Sequence, residues 1–169
     1  MQKHTQKHTL KSSFAHAARG LFGALWAERN MRIHAVAAVY VLFFAPFLGV
    51  SRGEYGVLLA CCGLVFGLEC VNTAVEALCD ALHPGWSGRI GFVKDAAAGA
   101  VLFGAIFAAA AGLVILWRWD RLLALAQTIL GHPLYCILFV LSLVLAVVFV
   151  CTAPGREKAD KPSPKNKET

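Results

Sequence analysis

Residues 69–80 read ECVNTAVEALCD, two glutamates, an aspartate, an asparagine and a threonine, directly after the apolar run 56–68. On a helix turning about 100° per residue, with Glu69 at 0°, Asn72 falls near −60°, Thr73 near +40°, Glu76 near −20° and Asp80 near +20°. All five polar side chains share one face, and Ala, Val, Leu and Cys fill the others. Carboxylates in or beside a bilayer are costly and are seldom retained without a task. Three acids and an amide on one stripe make an oxygen-rich site suited to a hard cation such as Mg²⁺.

The surroundings of this stripe are those of a membrane protein. The 169-residue chain is 58% hydrophobic and 15% charged, which is too apolar for an ordinary soluble domain. Uninterrupted apolar runs cover 34–50, 96–117 and 134–151, and 56–68 continues into the acidic stripe. Four helices long enough to span, or nearly so, are therefore predicted, giving an all-α integral membrane fold. Thirteen of the sixteen Lys and Arg lie before the first span, between the second and third, or after the fourth. The positive-inside rule then places both termini and the middle loop in the cytoplasm, as expected for a multi-pass protein of the inner (cytoplasmic) membrane. The net charge of +6 is explained by this topology and calls for no nucleic-acid partner. Residues 1–33 are too polar for a cleavable signal peptide. The six cysteines form no CxxC pair and read as apolar filler.

Working outward, residues 1–11 hold the tandem repeat QKHT-QKHT and read as a disordered tail rather than as a metal site at His4 and His8. From Ser12 or Ser13, each a plausible N-cap, an amphipathic pattern of Phe14, Ala17, Ala18, Leu21 and Leu25 predicts a helix on the cytoplasmic membrane surface. A first span over about 31–50 and an outer turn at 51–54 lead to the second span. Residues 83–91, HPGWSGRIG, read as a cytoplasmic loop. The third span, opening KDAAAGAVL, is rich in Ala and Gly, with small-xxx-small pairs Ala100/Gly104 and Ala108/Gly112 that permit close helix contact. Residues 118–151 read as an outer amphipathic linker and a fourth span whose apolar run, 134–151, is charge-free, and a disordered cytoplasmic tail at 152–169 completes the chain.

Five of the ten acids, Glu28, Glu69, Glu76, Asp80 and Asp95, fall on the cytoplasmic side, with Lys94 beside Asp95. A carboxylate pair such as Glu28 and Glu76 can hold Mg²⁺ while substrate phosphates complete its shell. Lys94 can neutralise phosphate, and a third carboxylate can take the proton of a lipid hydroxyl. These are the parts of a minimal phosphoryl-transfer site. No GxxxxGK[ST] loop is present, so it is not a P-loop enzyme. A cation- or proton-coupled transport component is the competing class, but the acids lie at one interface and the sequence shows no inverted repeat.

ERNMRIH (28–34), GLECVNTAVEALCD (67–80) and KDAAAGAVL (94–102) resemble the small bacterial integral-membrane lipid kinases of the diacylglycerol kinase and undecaprenol kinase family. The signature Glu-x-x-Asn-[Ser/Thr]-Ala-x-Glu-x-x-x-Asp is matched throughout, and the resemblance covers about residues 12–117. It implies a homotrimer of three-span subunits with shared active sites, using MgATP to phosphorylate a lipid alcohol. By match, Glu69 is implied as general base, Glu28 and Glu76 as metal ligands, and Asn72, Asp80, Lys94 and Asp95 as residues positioning ATP. The wording of ERNMRIH and NTAVE is closer to the undecaprenol kinase branch, with diacylglycerol as the alternative acceptor. The family usually stops after three spans, so the linker and fourth span here are additions.

Overall fold

The computed structural model describes residues 9–83 and 87–152. These form six helices: α1 (Leu10–Ala27), α2 (Arg29–Phe44), α3 (Arg52–Leu82), α4 (Gly88–Leu116), α5 (Trp119–Gly131) and α6 (Pro133–Thr152). Among the described residues, α3, α4 and α6 are long and apolar enough to cross a membrane. At about 1.5 Å per residue, the 31-residue α3 and 29-residue α4 exceed a hydrocarbon core of about 30 Å, so their ends reach the interfaces.

The first apolar run departs from expectation. Rather than one span to Val50, it gives a 16-residue helix followed by a turn over 45–49. Pro46 is the cause: it has no N–H to offer the carbonyl of Leu42. The Tyr55 hydroxyl of α3 donates to that carbonyl instead, at 3.4 Å. Gly49, at φ 71°, completes the turn in a backbone region that other residues rarely adopt. Ser51 then caps α3 with a reciprocal capping box: its N–H donates to Glu54 Oε2 at 2.8 Å, and its hydroxyl accepts from the Glu54 N–H at 3.3 Å.

Three other boundaries move. α1 is capped by the Thr9 hydroxyl, which accepts from the Ser12 N–H at 3.3 Å, so Ser12 and Ser13 lie inside the helix and Leu10 and Lys11 belong to it rather than to a tail. α4 starts at Gly88, six residues before Lys94, and so absorbs much of the expected loop. The linker after α4 is a 13-residue helix, α5. His4, His8, residues 84–86 and the tail from 153 lie outside the described residues.

The most extensive packing is between α3 and α4. At Gly104 a Cβ would stand 2.6 Å from Leu68 Cδ1, the end of a flexible side chain, so a larger residue there requires Leu68 to move. Leu68 immediately precedes Glu69, so the close contact of α3 with α4 lies beside the acidic stripe. α2 packs on α3, α1 touches both, and α6 lies along α2. α6 docks through a Tyr40–Ser142 hydroxyl pair at 2.9 Å and edge-on ring contacts of Phe139 with Phe44 and Phe149 with Trp26. Most large apolar side chains of α4 and α6 are exposed, as lipid contact requires.

The end of the molecule opposite the acids is tied by Arg118. Its guanidinium donates to both carboxylate oxygens of Glu54, at 2.7 and 2.8 Å, and to the Gly49 carbonyl at 2.7 Å. This bidentate fork joins the end of α4 to the turn between α2 and α3. Arg118→Gln and Glu54→Gln are each expected to lower the detergent-solubilised melting midpoint by a few degrees. The double variant is expected to fall no further than the worse single one. Additive losses in thermal melts would show that the two side chains act independently.

Candidate functional site

The acidic stripe folds as its spacing dictates, on one continuous helix. Glu69 is 1% exposed and Asn72 8% exposed, both within the α3 packing surface, while Glu76 is half-buried and Asp80 exposed. The stripe thus runs from a dry end at Glu69 to a wet end at Asp80. Asn72 Nδ2 donates to Glu76 Oε1 at 2.9 Å, one helical turn on. The Thr73 hydroxyl donates to the Glu69 carbonyl at 2.9 Å, so Thr73 serves the backbone rather than the site.

The other candidates reach this row from two directions. Lys94 of α4 forms a salt bridge with Asp80 and lies within electrostatic reach of Glu76. Glu28 sits on the break between α1 and α2, in extended backbone at φ −104° and ψ 124°, closing α1 through its N–H to the Ala24 carbonyl at 2.9 Å. From there it lies, with Glu76, within electrostatic reach of Glu69. Glu28, Glu69, Asn72, Glu76, Asp80 and Lys94 therefore form one connected cluster. Asp95 does not join it: it is exposed on α4 and makes no hydrogen bond or ion pair among the described residues.

Two residues outside the expected set belong to the cluster's frame. Arg32 is 3% exposed, and its guanidinium donates to the Trp26 carbonyl at 2.8 Å. It binds the last turn of α1, where carbonyls lack helical partners, and so fixes the corner that carries Glu28. His34 Nε2 approaches Glu69 Oε1 at 3.3 Å. That oxygen accepts no hydrogen bond among the described residues, and neither does Asn72 Oδ1. Buried acceptors left open in this way are costly within one subunit and suit a site completed by a ligand. Arg32 and His34 lie within ERNMRIH (28–34) but about 160° apart around α2, so no common helical face marks them in the sequence.

The donor set suits a partly chelated hard cation. Glu28 and Glu76 each lie within electrostatic reach of Glu69, and no group of three His, Cys, Asp or Glu gathers among the described residues to cage a metal fully. Mg²⁺ characteristically takes one or two protein carboxylates and leaves its remaining positions to phosphates and water. An apolar cleft of about 620 Å³ between α2, α3 and α4 runs from His34 to Trp117, and its inner end opens beside Glu69.

Comparison with known proteins agrees with this geometry. The sequence pattern of the prokaryotic diacylglycerol kinase family matches residues 15–116, from α1 to the end of α4. The chain is 37% identical over 103 residues to the undecaprenol kinase of Bacillus subtilis, covering 61% of this chain and 84% of that protein. It is also 37% identical over 101 residues to a diacylglycerol kinase of Synechocystis sp., covering 59% of this chain and 58% of that protein. No solved structure matches. With the family's span coincident with the helices that build the acidic cluster, the chain belongs to the prokaryotic diacylglycerol kinase family and is a membrane-embedded lipid kinase of the diacylglycerol kinase and undecaprenol kinase type.

Proposed function

We propose that the protein transfers the γ-phosphate of MgATP to the hydroxyl of undecaprenol. The observation that carries the chemistry is the buried Glu69 carboxylate, held at the dry end of a row whose wet end is the Asp80–Lys94 pair. A lipid hydroxyl approaches from the membrane and ATP from the cytoplasm, and the row spans the distance between them. Glu69 takes the hydroxyl proton as the oxygen attacks the γ-phosphorus. The bond from that phosphorus to the β,γ-bridging oxygen breaks, and ADP leaves. Asn72 holds Glu76 in place, and Lys94 and Asp80 bind the nucleotide phosphates and their counter-charge. Glu28 and Glu76 would hold Mg²⁺, which when bound neutralises phosphate charge. Asp95 is assigned to the nucleotide's outer edge on the family resemblance. The choice of undecaprenol over diacylglycerol rests on ERNMRIH and NTAVE, with support from the similarity to the Bacillus subtilis protein.

The proposed arrangement is a cytoplasmic surface helix (α1), a kinase core of α2–α4 within residues 12–117, and an added outer linker and span in α5 and α6. Exposed Leu10, Phe14, Leu21, Phe22 and Trp26 on α1 fit a helix lying at the lipid surface. α2 is short for a span, at about 24 Å, and the turn over 45–49 extends its reach toward the outer face. Both termini are assigned to the cytoplasm of an inner membrane. An oligomer with shared sites is proposed because one subunit leaves Glu76 half-covered and Asp80 exposed beside the membrane, and the family resemblance implies that it is a homotrimer.

Four outcomes are expected. Given ATP and a panel of lipid alcohols, purified protein labels undecaprenol with a higher kcat/KM than diacylglycerol; the reverse order would assign it to the other acceptor. Glu69→Gln lowers kcat by at least about 10²-fold with nucleotide binding retained, whereas Glu28→Gln and Glu76→Gln move the Mg²⁺ titration to higher concentration. An overlay of those titrations on the parent curve would place the metal elsewhere. A cysteine at Thr169 is labelled from the cytoplasm only; external labelling would mean that α6 does not cross. Co-assembled inactive variants, such as Glu69→Gln with Asp95→Asn, recover part of the activity if subunits share sites. No recovery from any pair in proven mixed oligomers would confine each site to one chain.

A further inference from the structure

A second groove, of about 1010 Å³, lies between α2, α5 and α6. Phe43 of α2, Phe47 of the following turn, Leu125 and Ile129 of α5 and Leu138 and Leu145 of α6 help to wall it, and no charged side chain lines it among the described residues. Phe43, Phe47, Leu138 and Leu145 are exposed, so the groove is open to its surroundings. Three of its hydroxyls are already bonded: Tyr40 meets Ser142 at 2.9 Å, Ser142 donates to the Phe139 carbonyl at 2.7 Å, and Thr128 donates to the Ala124 carbonyl at 2.8 Å. The surface left to cover is therefore hydrocarbon. Its α6 wall runs from Tyr135 to Phe149, about 21 Å at 1.5 Å per residue, which exceeds the hydrocarbon depth of one leaflet, about 15 Å.

One end of this groove carries a charge. Arg121 lies about 40° around α5 from Leu125 and about 20° from Thr128, so it shares their groove-facing side. Its guanidinium covers the turn after α2: Nε and Cζ stand 4.0 Å from where a Cβ on Gly49 would be, two residues beyond Phe47. Arg118 Nη1 stands at the same 4.0 Å. Two guanidiniums thus converge on one glycine, and Glu54 gives both of its carboxylate oxygens to Arg118. Arg121 is exposed and makes no hydrogen bond or ion pair among the described residues. Asp120 is turned about 100° away around α5, and Arg52, three residues beyond Gly49, adds a further exposed positive charge.

We infer that the groove between α2, α5 and α6 binds an anionic phospholipid, with its phosphate on Arg121 and one acyl chain along the groove. A guanidinium presents a planar fork that matches phosphate oxygens, and the apolar channel beside it takes the chain that such a headgroup carries. Arg121 lies at the end of the molecule opposite the acidic row, beside Arg118 and Gly49, so the lipid it holds takes no part in phosphoryl transfer and the inference stands apart from that chemistry. Bound there, the lipid joins α5 to the turn after α2 and fills the seam along which α6 packs.

The test uses the full chain in dodecyl maltoside micelles, with native mass spectrometry counting the lipid retained per chain. The probes are dioleoylphosphatidylglycerol, which is anionic, and dioleoylphosphatidylcholine, which has the same chains and no net charge. The parent is expected to retain one phosphatidylglycerol per chain, bound about fivefold or more tightly than phosphatidylcholine. Arg121→Gln brings phosphatidylglycerol down to the phosphatidylcholine level, and Arg121→Lys recovers part of the difference. Ala146→Phe and Val39→Trp, which fill the groove from α6 and from α2, weaken both lipids severalfold. Glycerol 3-phosphate, a headgroup without chains, does not displace the lipid. Equal retention of the two lipids by the parent, or unchanged phosphatidylglycerol binding in Arg121→Gln, would overturn the headgroup site. Unchanged binding in both groove-filling variants, or full displacement by glycerol 3-phosphate, would overturn the groove as the chain's seat. A parent that retains no lipid but loses an oligomer in Val39→Trp would assign the groove to a second copy of the chain instead.

Discussion

Everything at the inner end of this molecule depends on keeping the Glu69 carboxylate out of lipid and out of bulk water. A lone carboxylate in hydrocarbon is penalised by several kcal/mol or more. The chain meets that constraint by surrounding Glu69 with protein: α3 carries it, α2 supplies His34, and α4 closes against Leu68 at Gly104. The close approach of α3 and α4 at Leu68 and Gly104 thus lies one residue from the acid that it helps to cover.

The same constraint explains why the polar row is graded. Asn72 is buried and bonded to Glu76, which is half-buried, and Asp80 is exposed and paired with Lys94. Each step along the row from Glu69 to Asp80 exchanges protein cover for exposure, so charge lies where its hydration is retained. The corner at Glu28, braced by Arg32 on the Trp26 carbonyl, brings a further carboxylate to this row without adding a helix to the bundle.

Much of this was legible in the sequence. The 3.6-residue period of Glu69, Asn72, Glu76 and Asp80 fixes their common face because a helix leaves no freedom in that angle. A last helix long and apolar enough to cross a membrane was equally plain, since α6 carries no charged residue. Less legible were features set by tertiary contacts. The early end of α2 depends on how the carbonyl freed by Pro46 finds Tyr55, and the start of α4 at Gly88 depends on packing that overrides a Pro/Gly-rich composition. Arg32 and His34 escaped notice because an arginine and a histidine near a helix start resemble ordinary interfacial residues; only their burial and distances separate them. Asp95, adjacent to Lys94 in sequence, falls about 100° around α4 from it and is exposed there.

The hydroxyl pair of Tyr40 and Ser142 has a consequence for how α6 is held. A helix of uniformly apolar side chains has no preferred azimuth in a lipid environment, because every rotation about its axis presents the same kind of surface. One directional bond breaks that degeneracy: Ser142 selects the side of α6 that faces α2, and Phe139 and Phe149 follow on the same side. The remaining circumference of α6 is then free to drift among aliphatic residues without altering its seat. A charge-free helix is in this way given one preferred face by a single polar position.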